Sequence, residues 1–469
     1  MTAVHPNMTI HPASFRDPAG FVFSETGVFY RQVNQSYADH YDLLIRSGLY
    51  DTLTGNGLLV PHTEVAENLT GSPDRYKTLL PRQIHRISYA CEWSPEQLKD
   101  AALLTLQIQQ IAMDHGMTLK DATPLNIQFE QGSALFLDTL SFEKYDPGRP
   151  WIAYRQFCEC FLFPLYLQRY LRAGTDKLTS AWPEGIPAAV TARLLPLKSR
   201  WNAGAWMHVF LQNQIHTDVS KTVRTDAKKQ PGFSKTKLSR LIEHLRHLVS
   251  RLNINQTNNS TWTNYYTETI LGKTYLGGKE QLFRQYLQEI EFDSALDLGC
   301  NDGWFSKILA EKGAPVLAVD SDWQCVSSLY TYTRENKQAN ILPLCVDLSN
   351  PTPASGFRNA ERASFTDRAR AGLVTALALI HHLSLGKNIP LPLIAAWFSE
   401  LTTGYLIIEF VPLSDEKARQ LIARKETAPG GYDIASFESA FSRHFRIERK
   451  DPVPGTNRIL YRLKKDSAL

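Results

Sequence analysis

The chain has 469 residues, of which 43% are hydrophobic and 21% charged, and its net charge is +4. This composition excludes a disordered chain, a collagen-like repeat and a long coiled coil. The near-balanced charge gives no strong nucleic-acid signal. At about 150 residues per domain, the length predicts two or three domains. Met1 to Pro18 lack a basic start and an apolar core, so no secretory leader is expected. The longest apolar run, Ala371 to Ile380, falls far short of the ~20 residues that span a bilayer. It reads as a buried strand. Cys91, Cys158, Cys160, Cys300, Cys325 and Cys345 form no Cys-x-x-Cys pair, so neither a metal site nor a disulfide framework is expected. A soluble, cytoplasmic protein follows, with weak attachment to a membrane surface as the minor alternative.

In the first ninety residues, Gly20 to Val33 (GFVFSETGVFYRQV) reads as a hairpin. A helix is predicted from Glu96 to His115. Ser94, Pro95 and Gln97 make a capping-box start, and Leu104, Ile108, Ile111 and Ala112 give an apolar face. Beyond it Asp121 is followed, after four intervening residues, by Asn126, and a further apolar run ends in Asp138. Such a set can hold Mg²⁺ on a triphosphate and orient an acceptor hydroxyl. In this spacing the segment resembles kinase-like folds. The resemblance implies Asp121 as the orienting base, Asn126 and Asp138 as metal ligands, and Tyr89 and Trp93 at a hinge between lobes. Two departures weigh against phosphotransfer. Thr139-Leu140 stands after Asp138 where the family has Phe-Gly, and no V-A-I-K-like strand is visible. The half is therefore expected to be an α+β kinase-like domain with a reduced first lobe, kept for structure or acceptor binding.

Lys221 to Arg251 is strongly basic, with only Asp226 and Glu243 opposing its cations. Leu238, Leu241, Ile242, Leu245 and Leu248 fall at helical spacing, so an amphipathic connector helix with a solvated basic face is expected. The alternative is a patch for an anionic partner (acidic glycan, lipid headgroup or RNA). Asn253 to Thr263 is polar and marks a boundary. The expected domains are 1–220, a connector over 221–260, and 261–469.

The second half alternates strand and helix patterns. Strands are expected at Ser294–Leu298, Val316–Val319, Ile341–Val346, Leu373–Leu379 and Tyr405–Phe410. Helices are expected at Trp304–Lys312, Cys325–Glu335, Leu391–Leu401 and Asp415–Arg424. A terminal hairpin joins Phe445–Arg449 to Arg458–Leu463. This alternation predicts a doubly wound α/β sheet.

The first of these strands runs into Asp297-Leu-Gly299-Cys-Asn301-Asp-Gly303 and then a helix. The glycines permit a tight turn and close approach to a ligand, and the helix start offers free amides. The second strand ends in Asp320, suited to ribose hydroxyls. The third ends at Asp347, within reach of an adenine amine. Three strands ending in aspartates at this spacing, with D-x-G-x-x-x-G in place of G-x-G-x-x-G, resemble the class I S-adenosylmethionine-dependent methyltransferases over residues 262–469. The resemblance implies S-adenosyl-L-methionine as cofactor. It places Asp297, Gly299, Asn301 and Gly303 around the methionine tail, Asp320 with Ser321 at the ribose, and Asp347 with Leu348 at the adenine. It also gives aromatic cover from Trp262, Tyr265 and Tyr266.

After the fourth strand come His381 and His382, candidates for a general base or for a cap that orients the loop. Glu409 ends the fifth strand and could bind acceptor hydroxyls or fix a histidine tautomer. Asn359 to Arg370 is a charged insertion, with Glu361, Arg362, Asp367 and Arg370 available for acceptor recognition or simply solvated.

Taken together, stretches such as SGLYDTLTGNGLLVPH, LKDATPLNIQF, FLDTLSFE and ALALIHHL resemble a bacterial group of methyltransferase-like proteins related to host-specificity nodulation proteins. That resemblance implies a methyltransferase whose acceptor is a saccharide, lipid-linked glycan or secondary metabolite. The acceptor and the oligomeric state are written in no motif. A bifunctional kinase–methyltransferase and a non-catalytic cofactor-binding scaffold are the competing readings. A dehydrogenase is disfavoured by the glycine spacing.

Overall fold

The structure, a computed structural model, describes residues 8–214, 234–254, 273–423, 425 and 430–466. The chain forms two compact units, Met1–Gln256 with Ala354–Ala363, and Thr257–Pro353 with Ser364–Leu469.

The first unit opens with β1 (Met8–Ile10), β2 (Gly20–Glu25), β3 (Val28–Asn34), β4 (His62–Val65) and β5 (Arg75–Pro81). They form one antiparallel sheet in the order β1-β2-β3-β5-β4. The β2–β3 hairpin is the one expected. Its two-residue turn places both Thr26 (φ 50°) and Gly27 (φ 83°) in the left-handed region, the geometry that matches strand twist. The remaining strands correct the expectation of a reduced first lobe. They were illegible because little of them is apolar: β5 buries only Thr78 and Leu79. The sheet's inner face packs Val33 and Leu79 with Tyr37, Tyr41 and Leu140.

The Pro95–Asp114 helix starts as predicted. Ser94 Oγ accepts from the Gln97 amide, and Gln97 Oε1 accepts from the Ser94 amide at 2.9 Å. After it β6 (Met117–Leu119), β7 (Ile127–Glu130), β8 (Ser133–Phe136) and β9 (Phe142–Lys144) pair as β6–β9 and β7–β8.

The basic helix, Lys235–Arg251, is not a free connector. It packs on the Pro95–Asp114 helix and buries Leu238, Ile242, Leu245 and Val249. Lys99 Nζ donates to the carbonyls of Ser250 and Leu252 near its end. Its apolar stripe holds it there and its basic face is exposed, the amphipathic arrangement the spacing predicts.

One contact on this helix carries a pH prediction. The buried His208 ring lies 5.4 Å from that of His244, and its Nδ1 is 2.6 Å from the Tyr154 hydroxyl. Burial, and then the charge of His244, push His208 down to about 4. The neutral ring is therefore favoured in the folded state. Its contribution is intact above the unfolded value near 6.5 and is lost as pH falls from there toward 4. Between pH ~7 and ~5 the urea-unfolding free energy of wild type should fall by about 2 kcal/mol more than that of His208→Gln. Parallel pH profiles would refute this.

The second unit is a seven-stranded sheet of β10 (Ala295–Leu298), β11 (Val316–Asp320), β12 (Ile341–Cys345), β13 (Ala371–Ala376), β14 (Thr402–Phe410), β15 (Phe445–Pro452) and β16 (Ile459–Lys465). Its order is β12-β11-β10-β13-β14-β16-β15. The first five are parallel, and β16 and β15 are antiparallel. This is the expected doubly wound sheet with a terminal hairpin. β10 lies between β11 and β13, so the strand order reverses there and opens a crevice at the carboxyl ends. β13 stops at Ala376, short of the Leu379 expected, because Ala378 turns the chain with φ 52°. Among the described residues no helix is long and apolar enough to cross a membrane.

Candidate functional site

The loop after β10 is built as its glycines require. Gly299 (φ 75°), Asn301 (φ 53°) and Gly303 (φ 80°) all lie in the left-handed region. A Cβ on Gly303 would sit 2.4 Å from Leu329 Cδ1, and one on Gly299 3.2 Å from Leu379 Cδ1. Both positions therefore need glycine for space as well as for conformation. The amides of Gly299 and Cys300 donate to the Val319 carbonyl, which folds the loop over the end of β11.

Asp320 is locked beside that loop. Its Oδ2 accepts from the Asn301 amide and its Oδ1 from the Asp322 amide, each at 2.9 Å. Burial raises its pKa, and these two amides oppose the rise. Each oxygen retains a lone pair for a further donor. Ser321 is exposed next to it. Asp347, at the end of β12, accepts from the amide and hydroxyl of Ser349, and Leu348 is buried beside it.

Asp297 stands near the end of β10, where the loop starts. Its buried carboxylate accepts from Ser306 Oγ (2.6 Å) and Thr375 Oγ1 (2.7 Å). It ties β10 to β13 and to the Trp304–Ala310 helix and so braces the start of the loop. Tyr266, Trp262 and Tyr265 lie outside the described residues.

His381 and His382 follow the left-handed Ala378, with ring centroids 4.2 Å apart. His381 is fully buried with neither ring nitrogen hydrogen-bonded, and His382 is half-buried. Burial pushes His381 well below the usual histidine value, helped by His382, Arg458 and Lys279. His382 falls to about 4, through burial and then Arg458 and Lys417. Both rings are therefore neutral near pH 7, as a proton acceptor must be.

Glu409 sits in a buried charge cluster. It is fully buried and accepts from the Tyr275 hydroxyl at 2.8 Å. It is ion-paired to Lys279 at 2.5 Å and to Arg458 at 3.4 Å. Arg458 also grips Asp415 through Nε at 2.8 Å and Nη2 at 3.2 Å. A carboxylate taken up by three donors is not open to acceptor hydroxyls. Tyr275, Lys279, Asp415 and Arg458 were missed because their sequence separation hides the cluster.

In the first unit, Asn126 Nδ2 donates to Ser141 Oγ (2.9 Å), which donates to Asp138 Oδ2 (2.6 Å). Arg31, on β3, is ion-paired to Asp138 Oδ1 at 2.7 Å. Burial raises the Asp121 pKa, with Lys120 opposing and Asp138 adding to the rise. Among the described residues no group of three or more His, Cys, Asp or Glu side chains is placed to hold a metal ion. The insertion contributes to this unit as well: Glu361 pairs with Arg16 at 2.7 Å and Arg362 is buried against Ser355.

No protein-family model matches the chain. Solved structures with a distant likeness include the N-methyltransferase NodS from Bradyrhizobium japonicum WM9 in complex with S-adenosyl-L-homocysteine. It is 12% identical, over 45% of this chain and 94% of that one, with a TM-score of 0.33. Another is magnesium protoporphyrin IX methyltransferase (ChlM) from Synechocystis PCC 6803, 15% identical over 44% of this chain and 92% of that one, with a TM-score of 0.32. Scores this low add nothing to what the strand order already says of the fold. The informative relative is the nodulation protein NoeA of Rhizobium meliloti (strain 1021), 31% identical over 463 residues, or 96% of this chain and 95% of the relative. With that identity sustained across both units, the chain belongs to the family of the nodulation protein NoeA.

Proposed function

We propose that the second unit binds S-adenosyl-L-methionine and that the chain is a methyltransferase. The observation that carries this is the pairing of a glycine-built loop with Asp320, whose carboxylate is held by two backbone amides at the point where the strand order reverses. The site suits a nucleoside: the loop is shaped by the left-handed Gly299, Asn301 and Gly303, and Asp320 keeps acceptor capacity for ribose hydroxyls. Asn301 and Gly299 border the methionine tail, and Asp347 with Leu348 borders the adenine. When bound, the cofactor supplies a methyl group on a sulfonium leaving group. The protein's part is to align a nucleophile, exclude water and accept a proton. His382 and His381 are assigned the last of these. The acceptor is a small molecule of the saccharide, lipid-linked glycan or secondary-metabolite type.

Titration of the full-length protein with labelled S-adenosylmethionine tests the assignment. Wild type should bind saturably. Asp320→Ala should bind about 10–100-fold more weakly, as befits the loss of hydrogen bonds to a charged acceptor. Equal affinity would remove Asp320 from the site, and no binding by wild type would remove the function.

We read the first unit as a kinase-like domain that does not transfer phosphate. A five-stranded sheet, a long helix and two short strand pairs, β6–β9 and β7–β8, with Asp121, Asn126 and Asp138 in the segments between these strands, support the kinase-like half of this reading. The Asp138 carboxylate supports the inactive half, since Arg31, Ser141 and the Leu140 amide all occupy it. Calorimetric titration with ATP and Mg²⁺ should give no saturable heat; a stoichiometric binding curve would restore the bifunctional alternative.

A further inference from the structure

One surface of the first unit has no place in methyl transfer. The 3₁₀ turn Leu197–Trp201 exposes 93% of Trp201 and 75% of Leu197. The Trp206–Leu211 segment next in the chain leaves Trp206 and Met207 about half exposed. Soluble surfaces rarely display tryptophan and leucine side by side to this degree without using them. The same turn carries Lys198 and Arg200, with the Arg200 guanidinium 5.4 Å from the ring centre of Phe210. From Ile186 to Thr217 the sequence has no aspartate or glutamate.

This stretch lies against the basic helix. A Cβ on Gly204 would come 2.8 Å from Leu248, and the His208 and His244 rings are in contact. That helix buries Leu238, Ile242, Leu245 and Val249 and leaves Lys235, Lys237, Arg240, Arg246 and Arg251 exposed, against one exposed acid, Glu243. Neighbouring elements thus present exposed apolar side chains and a cationic field together.

We propose that this face docks reversibly on an anionic lipid bilayer. The cations are drawn to the negative surface potential. Tryptophan prefers the membrane–water interface, and leucine and methionine gain by leaving water there. A nucleic acid or acidic glycan would satisfy the cations but offer nothing to Leu197 and Met207, which is why the lipid surface is favoured. Peripheral docking of this kind needs no spanning helix and does not rest on the methyltransferase reading.

Flotation of the full-length protein with vesicles is the test. It should float with phosphatidylcholine vesicles containing phosphatidylglycerol, remain behind with phosphatidylcholine alone, and be released by salt. Its tryptophan emission should shift to the blue on binding. Leu197→Ser with Trp201→Ser should weaken partitioning by more than about tenfold. Lys198→Glu and Arg200→Glu should each cost about fivefold. These side chains are exposed, so circular dichroism and the melting temperature should not change. Wild type that fails to float overturns the proposal, as does a serine double variant that floats like wild type. Retention on heparin without vesicle binding also overturns it, in favour of a soluble polyanion. So does a dimer that Trp201→Ser dissociates in the absence of any vesicle binding.

Discussion

His382→Asn is expected to slow methyl transfer by about 10²–10⁴-fold, the usual worth of a positioned general base, while S-adenosylmethionine binding stays unchanged. The ring follows the turn at Ala378, which leads into the Leu379 contact with the glycine loop. It is the half-buried member of the pair, so an acceptor can reach it, with His381 packed behind. Its pKa near 4 means that it accepts a proton throughout the neutral range. The sign follows directly: the rate should be flat above that value and fall about tenfold per pH unit below it, so the acid limb lies near pH 4 and not near 6.5. If the two rings act as a unit, the His381→Asn/His382→Asn double variant will be no slower than the slower single. The measurement is S-adenosylhomocysteine release, or a product one methylene heavier, in strains carrying each variant. Wild-type rates in both single variants would exclude a base from this pair.

The distance between sequence and structure follows from the range of each signal. Local signals read well. The Ser94 capping box, the Leu391–Leu401 helix and the β2–β3 hairpin are each written within a few adjacent residues, and each stands where the pattern puts it. The aspartates at strand ends were visible because a strand–loop–helix unit fixes their place by spacing alone. What their carboxylates do was not visible. Asp297 and Asp320 look alike in sequence, yet one is satisfied by Ser306 and Thr375 across three elements and the other by amides of its own and the adjacent loop. The other strands of the first sheet, β1, β4 and β5, were hidden by their polar faces. The amphipathic basic helix was legible from its own spacing, whereas the element it docks on, a helix more than a hundred residues earlier, was not.

Lys279→Met is expected to destabilise the second unit by about 1–3 kcal/mol, the cost of taking the nearer of two cations from a buried carboxylate that keeps Arg458 and the Tyr275 hydroxyl. The physical case rests on burial: Lys279, Glu409 and Arg458 have almost no solvent access, so no water can replace the lost ammonium. Desolvation alone would favour neutral lysine and protonated glutamate. Opposing this, Lys279 and Arg458 hold the Glu409 carboxyl below its ordinary value, and Glu409 favours the charged form of Lys279. The pair therefore stands or falls together. The double variant Lys279→Met/Glu409→Gln should recover much of the loss, because it removes both charges instead of stranding one. Chemical denaturation of the four species of this cycle gives the coupling directly. The cluster also feeds the histidines, since Lys279 and Arg458 both help to keep His381 neutral. Lys279→Met should accordingly raise the His381 pKa, a shift that imidazole NMR can follow. If the single variants lose acceptor turnover with no change in stability, Glu409 returns to the role the sequence suggested. If stability falls and cofactor affinity holds, the cluster is the buried brace on which the histidine loop rests.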